Sequence, residues 1–81
     1  MKSIAQQVAE MEKQTLNELI SYLGGPVRLA EFLGVTRQIV YYWQKRGRIS
    51  ASAAIDVERL THGKFKKSAL RPAVTQWRSD K

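Results

Sequence analysis

Eighty-one residues make one domain with a small core, and the absence of cysteine excludes disulfides and thiolate metal sites as reinforcement. An apolar content of 43% with mean hydropathy −0.39 excludes a disordered chain, and no apolar run approaches the ~18 residues that a membrane span requires. Lys and Arg total 14 against 7 Asp and Glu, a net +7 that calls for a polyanionic partner, nucleic acid before anionic membrane. The charge is uneven: residues 1–34 sum to −1, and residues 35–81, which hold eleven of the bases, sum to +8. Gln6, Gln7, Glu10 and Glu12 break any basic-then-apolar signal peptide, so the expectation is cytoplasmic residence without membrane contact.

Along the chain, Ile4, Val8 and Met11, then Leu16, Leu19, Ile20 and Leu23, recur at helical spacing. Either one long helix runs over residues 3–23, or Thr15 caps a separate helix from Leu16. Gly24-Gly25 ends this segment, and Pro26 opens a second helix where its missing N–H costs nothing. That helix covers residues 26–33 and stops at Gly34. Thr36 then caps a third over 37–45, which Gly47 ends. Ser50 caps a fourth over 51–62, with Ala53, Ala54, Val57 and Leu60 on a narrow apolar stripe. In the tail, Phe65 between lysines reads as a short strand, Ser68 as a cap and Pro72 as a breaker, with Leu70, Val74 and Trp77 at helical spacing. The fold class is mainly α, one small domain of four to five helices over residues 1–81.

The second and third helices make a helix-turn-helix pattern. Such a motif needs a small residue where the helices cross, and Ala30 supplies it. Its turn needs a residue that tolerates positive φ, and Gly34 follows four positions later. Leu29, Leu33, Val35, Val40 and Trp43 are the residues expected to fill the space between the helices.

The stretch Leu29-Ala-Glu-Phe-Leu-Gly-Val-Thr-Arg-Gln-Ile-Val-Tyr-Tyr-Trp43, followed by Lys45-Arg46-Gly47-Arg48-Ile49, resembles phage Cro-type repressors and the related YdaS-like proteins. The likeness continues through Asp56-Val-Glu-Arg-Leu-Thr-His-Gly63 and Leu70-Arg-Pro72, and spans roughly residues 15–77. Residues 1–14 form an extension outside it, with the spacing of a helix. The resemblance implies a lambda-repressor-like helix-turn-helix fold and a small DNA-binding regulator, commonly a homodimer on a palindromic operator. Some relatives are antitoxins, which leaves a toxin protein as an alternative partner.

With Val40 and Trp43 turned inward, Arg37, Gln38, Tyr41, Tyr42 and Lys45 occupy the opposite face of the third helix. Arg bonds guanine O6 and N7, and Gln bonds adenine N6 and N7, so Arg37 and Gln38 in the first turn are expected to read bases. Tyr41 and Tyr42 either join the readout or close the edge of the core, and Ile39 borders the core within reach of a thymine methyl. Arg28, Thr36, Lys45, Arg46 and Arg48 are expected to hold backbone phosphates. Lys64, Lys66 and Lys67 are either a solvated face or further backbone contacts from the tail. Phe65, Leu70, Val74 and Trp77 either pack on their own chain or form a dimer surface, a role for which Ile4, Val8 and Met11 compete. One histidine without cysteine builds no ordinary zinc site, and His62 reads as a helix-end residue. Asp56 and Glu58, two apart, point to different faces. No enzyme and no cofactor are expected.

Overall fold

The first segment is a single helix. The computed structural model describes residues 1–77, and in it α1 runs Ile4–Leu23. A reciprocal cap starts it. Gln6 N–H donates to Ser3 Oγ at 3.2 Å, and Ser3 N–H donates to Gln6 Oε1 at 2.9 Å. Thr15 caps nothing; its hydroxyl donates to the Met11 carbonyl, 2.9 Å away within the same helix. After Gly24 and Gly25 the chain turns into α2 (Pro26–Leu33), with proline in its first turn. Gly34, at φ +70°, ends α2, its N–H donating to Ala30 O and Glu31 O. Thr36 then caps α3 (Arg37–Arg46), its Oγ1 accepting from Ile39 N–H at 3.3 Å. Ser50 does the same for α4 (Ala51–Leu60), accepting from Ala53 N–H at 3.3 Å. A short α5 (Lys67–Leu70) and a 3-10 turn (Thr75–Trp77) complete the described chain, and no strand occurs among these residues.

One core joins the helices. Leu16, Leu19 and Ile20 of α1 meet Leu29 and Ala30 of α2, Val40 and Trp43 of α3, Ala53, Ala54 and Val57 of α4, and Leu70 of α5. Apolar burial at roughly 25 cal/mol per Å² is the main force holding these surfaces together. Leu70 is fully buried, and Phe65 and Trp77 pack against the core, so most of the apolar tail is used by its own chain. Of the rest of the candidate dimer surface, Ile4 and Met11 are exposed and Val8 and Val74 are half-buried. Arg78, Ser79, Asp80 and Lys81, the end of the expected tail, lie outside the described residues.

Several expectations need correction. Val35 is exposed, because the left-handed turn at Gly34 carries it outward while its N–H reaches back to Ala30 O. The half-buried Leu33 and the buried Val40 and Trp43 fill the space instead. Ile49, which the sequence reading left out of the core, is fully buried. α4 stops at Leu60, two residues early, and Leu60 is exposed. Thr61 takes the inward position. Its hydroxyl donates to Val57 O at 2.7 Å and accepts from Phe65 N–H at 3.2 Å, turning the chain sharply. His62 lies in that turn at φ +54°, past the helix rather than at its last residue. Phe65 forms no strand; its ring leans on Tyr22 with centroids 5.4 Å apart. Ser68 falls inside α5, whose first N–H, that of Lys67, is instead met by Glu58 Oε1 at 2.8 Å.

The two chain ends are fastened by a buried charge. Glu12, 3% exposed, accepts through Oε2 from Arg71 Nε at 3.3 Å and from Ala73 N–H at 3.2 Å. Arg71 also donates through Nη1 to the Ile49 carbonyl at 3.1 Å. A buried carboxylate is tolerated only when paired and hydrogen-bonded, and both conditions are met here. Removing it leaves the Arg71 charge and the Ala73 N–H without their partner. Glu12→Ala is therefore expected to lower unfolding free energy by about 3–5 kcal/mol in urea titration. The exposed Asn17→Ala, on the same helix, should stay within about 0.5 kcal/mol. Equal small effects would deny the pair its structural role.

Candidate nucleic-acid interface

Only a narrow stripe of α3 is needed for the core. Val40 and Trp43 are its buried residues, three apart on one side. At 3.6 residues per turn the opposite side carries Gln38 and Lys45, almost in line, with Tyr41 and Tyr42 between them. Arg37 and Gln44 flank one edge of this stripe, Ile39 and Arg46 the other. All eight are exposed. Gln44 thus joins the residues expected on this face, and Ile39 is more open than a residue bordering the core. Both tyrosines face solvent, so neither closes the core edge.

The electrostatics of α3 are one-sided. It contains no acid, and its last turn carries Lys45 and Arg46. Arg37, Gln38, Tyr41, Lys45 and Arg48 make no hydrogen bond or ion pair to another described residue, which leaves their polar groups available to a partner. Arg46 is engaged but not neutralised. Its Nη1 donates to Tyr42 Oη at 2.9 Å, and its guanidinium carbon lies 5.5 Å from the Tyr42 ring centroid. Thr36 Oγ1 accepts the cap hydrogen bond and keeps its own O–H as a donor. Arg28 is paired with Glu31 of its own helix at 3.2 Å, a contact between exposed groups that water and salt weaken easily.

Just past α3 the surface sinks into a groove of about 250 Å³, lined in part by Tyr42, Arg46, Arg48, Ser50 and Arg71. Arg71 joins these residues from the tail. Its sequence signal was present but indirect: Glu12 falls four residues after Val8 and four before Leu16, on a helix face otherwise apolar, and so requires a basic partner. A larger depression, about 430 Å³, lies on the outer side of α1 between Glu10, Lys13, Gln14 and Glu18. Two acids against one base suit it poorly to a polyanion, so size does not select the site. The tail lysines are used partly within the chain: Lys64 Nζ sits 5.0 Å from the Tyr22 ring centroid and Lys67 Nζ 5.7 Å from that of Trp77. Among the described residues no group of three or more His, Asp or Glu converges as metal ligands, and no helix is long and apolar enough to cross a membrane.

These features define a small all-helical domain built around a helix-turn-helix hairpin with an unpaired, basic outer stripe. A family model described as bacterial toxin YdaS matches residues 16–79, and the chain belongs to that family. No curated protein and no solved structure matches it. Residues 1–15, Glu12 among them, precede the matched region.

The local chemistry of α3 gives a direct check. Thr36→Ala should lower stability by about 1 kcal/mol, the usual loss for an N-cap hydroxyl. Tyr42→Phe removes only a solvent-facing acceptor and should change stability by less than about 0.5 kcal/mol. Thermal unfolding of both variants separates the two cases.

Proposed function

We propose that the protein is a sequence-specific double-stranded DNA-binding transcriptional regulator, a Cro-type repressor that blocks a promoter by occupying a palindromic operator as a homodimer. It acts in the cytoplasm, by binding rather than catalysis, and needs no cofactor. One observation carries this reading: the outer stripe of α3 presents Arg37, Gln38, Tyr41 and Lys45 to solvent without internal partners, on a helix lacking acids. In such an arrangement Arg37 and Gln38 bond base edges in the major groove, and Tyr41 and Tyr42 extend the contact. Arg28, Thr36, Lys45, Arg46 and Arg48 bond phosphates and set the register. Arg28 must exchange Glu31 for the phosphate, an inexpensive change at an exposed pair. In a dimer, two α3 helices ~34 Å apart enter successive major grooves.

The family's description favours a second reading, in which the chain belongs to a toxin system and its main contact is a partner protein. The two readings differ in what a mixed duplex pool would yield. Selection of bound sites at two salt concentrations should enrich a palindrome if the first holds; no enrichment would favour the second. On the selected site, Arg37→Ala should weaken binding by about 1–3 kcal/mol and relax preference at one base pair. Lys45→Ala should weaken all duplexes alike and lower the salt slope by about one. Equal losses for Arg37→Ala on selected and scrambled duplexes would exclude its reading role.

A further inference from the structure

The groove just past α3 is lined in part by three arginines, Arg46, Arg48 and Arg71. Only Glu12 offsets them, and its Oε2 is already shared between Arg71 and Ala73. Arg46 has the neutral Tyr42 hydroxyl as its partner, and Arg48 has none among the described residues. Three arginines offset by one carboxylate leave a net two positive charges around the groove, which favours an anion there. Arg71 differs from the other two. Its side chain is 16% exposed and is held at two points, through Nε by Glu12 and through Nη1 by Ile49 O. Its Nη2 has no partner among the described residues. A guanidinium immobilised in this way, partly removed from water and with donors to spare, is pre-organised for an anionic oxygen acceptor. At about 250 Å³ the groove has room for a phosphate group, and its lining residues begin in the last turn of α3.

We propose that this groove seats one phosphodiester of the DNA backbone, with Arg71 as a contact residue supplied by the tail and Glu12 as the positioning residue that aims it. The inference rests on the DNA-binding reading above. It assigns to the C-terminal segment a place in the interface that α3 alone does not provide. Arg46 and Arg48 meet the same phosphate from the groove's outer wall, and Arg71 from its floor.

The test compares wild type, Arg71→Gln and Glu12→Gln on a random-sequence duplex by fluorescence anisotropy across a salt series. Both substitutions disturb the same buried pair, but only the first removes a cation. Arg71→Gln should bind about tenfold more weakly with a salt slope smaller by about one, while Glu12→Gln keeps the wild-type slope. Unchanged slopes in both variants, or equal reductions in both, would overturn the inference. Should Arg71→Gln fail to fold, the wild-type Nε–H resonance of Arg71 decides the matter. It should shift when duplex is added and stay in place with inorganic phosphate alone. An unmoved resonance overturns the proposal, as does an equal shift with inorganic phosphate, which would give the groove to the free ion. Wild type that binds no duplex overturns the DNA reading together with this one. If Lys45→Ala lowers the slope while Arg71→Gln does not, only the present inference falls.

Discussion

A carboxylate that is almost sealed from water governs the arrangement of this domain. Glu12 lies on the inward side of α1, in line with Val8 and Leu16, and burying it alone would be prohibitive. Its partners come from the other end of the chain, Arg71 and the Ala73 amide. Because Arg71 also bonds the Ile49 carbonyl, one guanidinium ties together the first helix, the tail and the loop between α3 and α4. Ile49 is fully buried beside that bond, so the loop is held by both an apolar anchor and a polar one. The arginines around it thus extend from a fixed backbone.

That fixation complements what happens on α3. The core takes only Val40 and Trp43 from the helix, and capping at both ends is done by Thr36 and Gly47. Gly47, at φ +82°, sits where a side chain would need a backbone conformation that L-residues avoid, and its N–H closes onto Trp43 O at 2.7 Å. Packing and capping are thus assigned to few positions, and of the others only Tyr42 and Arg46 bond each other through their side chains. A stripe of Arg, Gln, Tyr and Lys on such a helix contributes little to stability, and partner binding explains its presence more readily than folding does.

Much of this was legible in the sequence because it depends on neighbours. Thr36, Gly34, Ser50 and Pro26 act within three or four residues, so their roles follow from spacing alone. The outer stripe of α3 follows from the positions of Val40 and Trp43. What escaped reading depends on contacts between distant segments. Glu12 and Arg71 are 59 residues apart, so an acid on an apolar face shows that a basic partner is needed but not which residue supplies it. Ile49 looks like a loop residue until the tail is placed over it. Val35 and Leu60 fail for the opposite reason: apolar character suggested burial, but a turn at Gly34 and an early helix end at Thr61 direct them outward. The chain's family resemblance was visible in residues 29–49, whereas the importance of Glu12 was not, because it precedes the matched region.

The pairing of Glu12 with Arg71 also bears on how far this domain can be treated as modular. The α2–α3 hairpin carries its own caps and turn, and its outer stripe would travel intact if those residues were grafted onto another helical scaffold. The loop after α3 would not. Its position is dictated from residues 12 and 71, so a transplanted hairpin would keep its exposed outer stripe and lose the geometry of Arg48 and its neighbours. The hairpin's stripe is a local property of α2 and α3, whereas the groove beside it belongs to the whole domain.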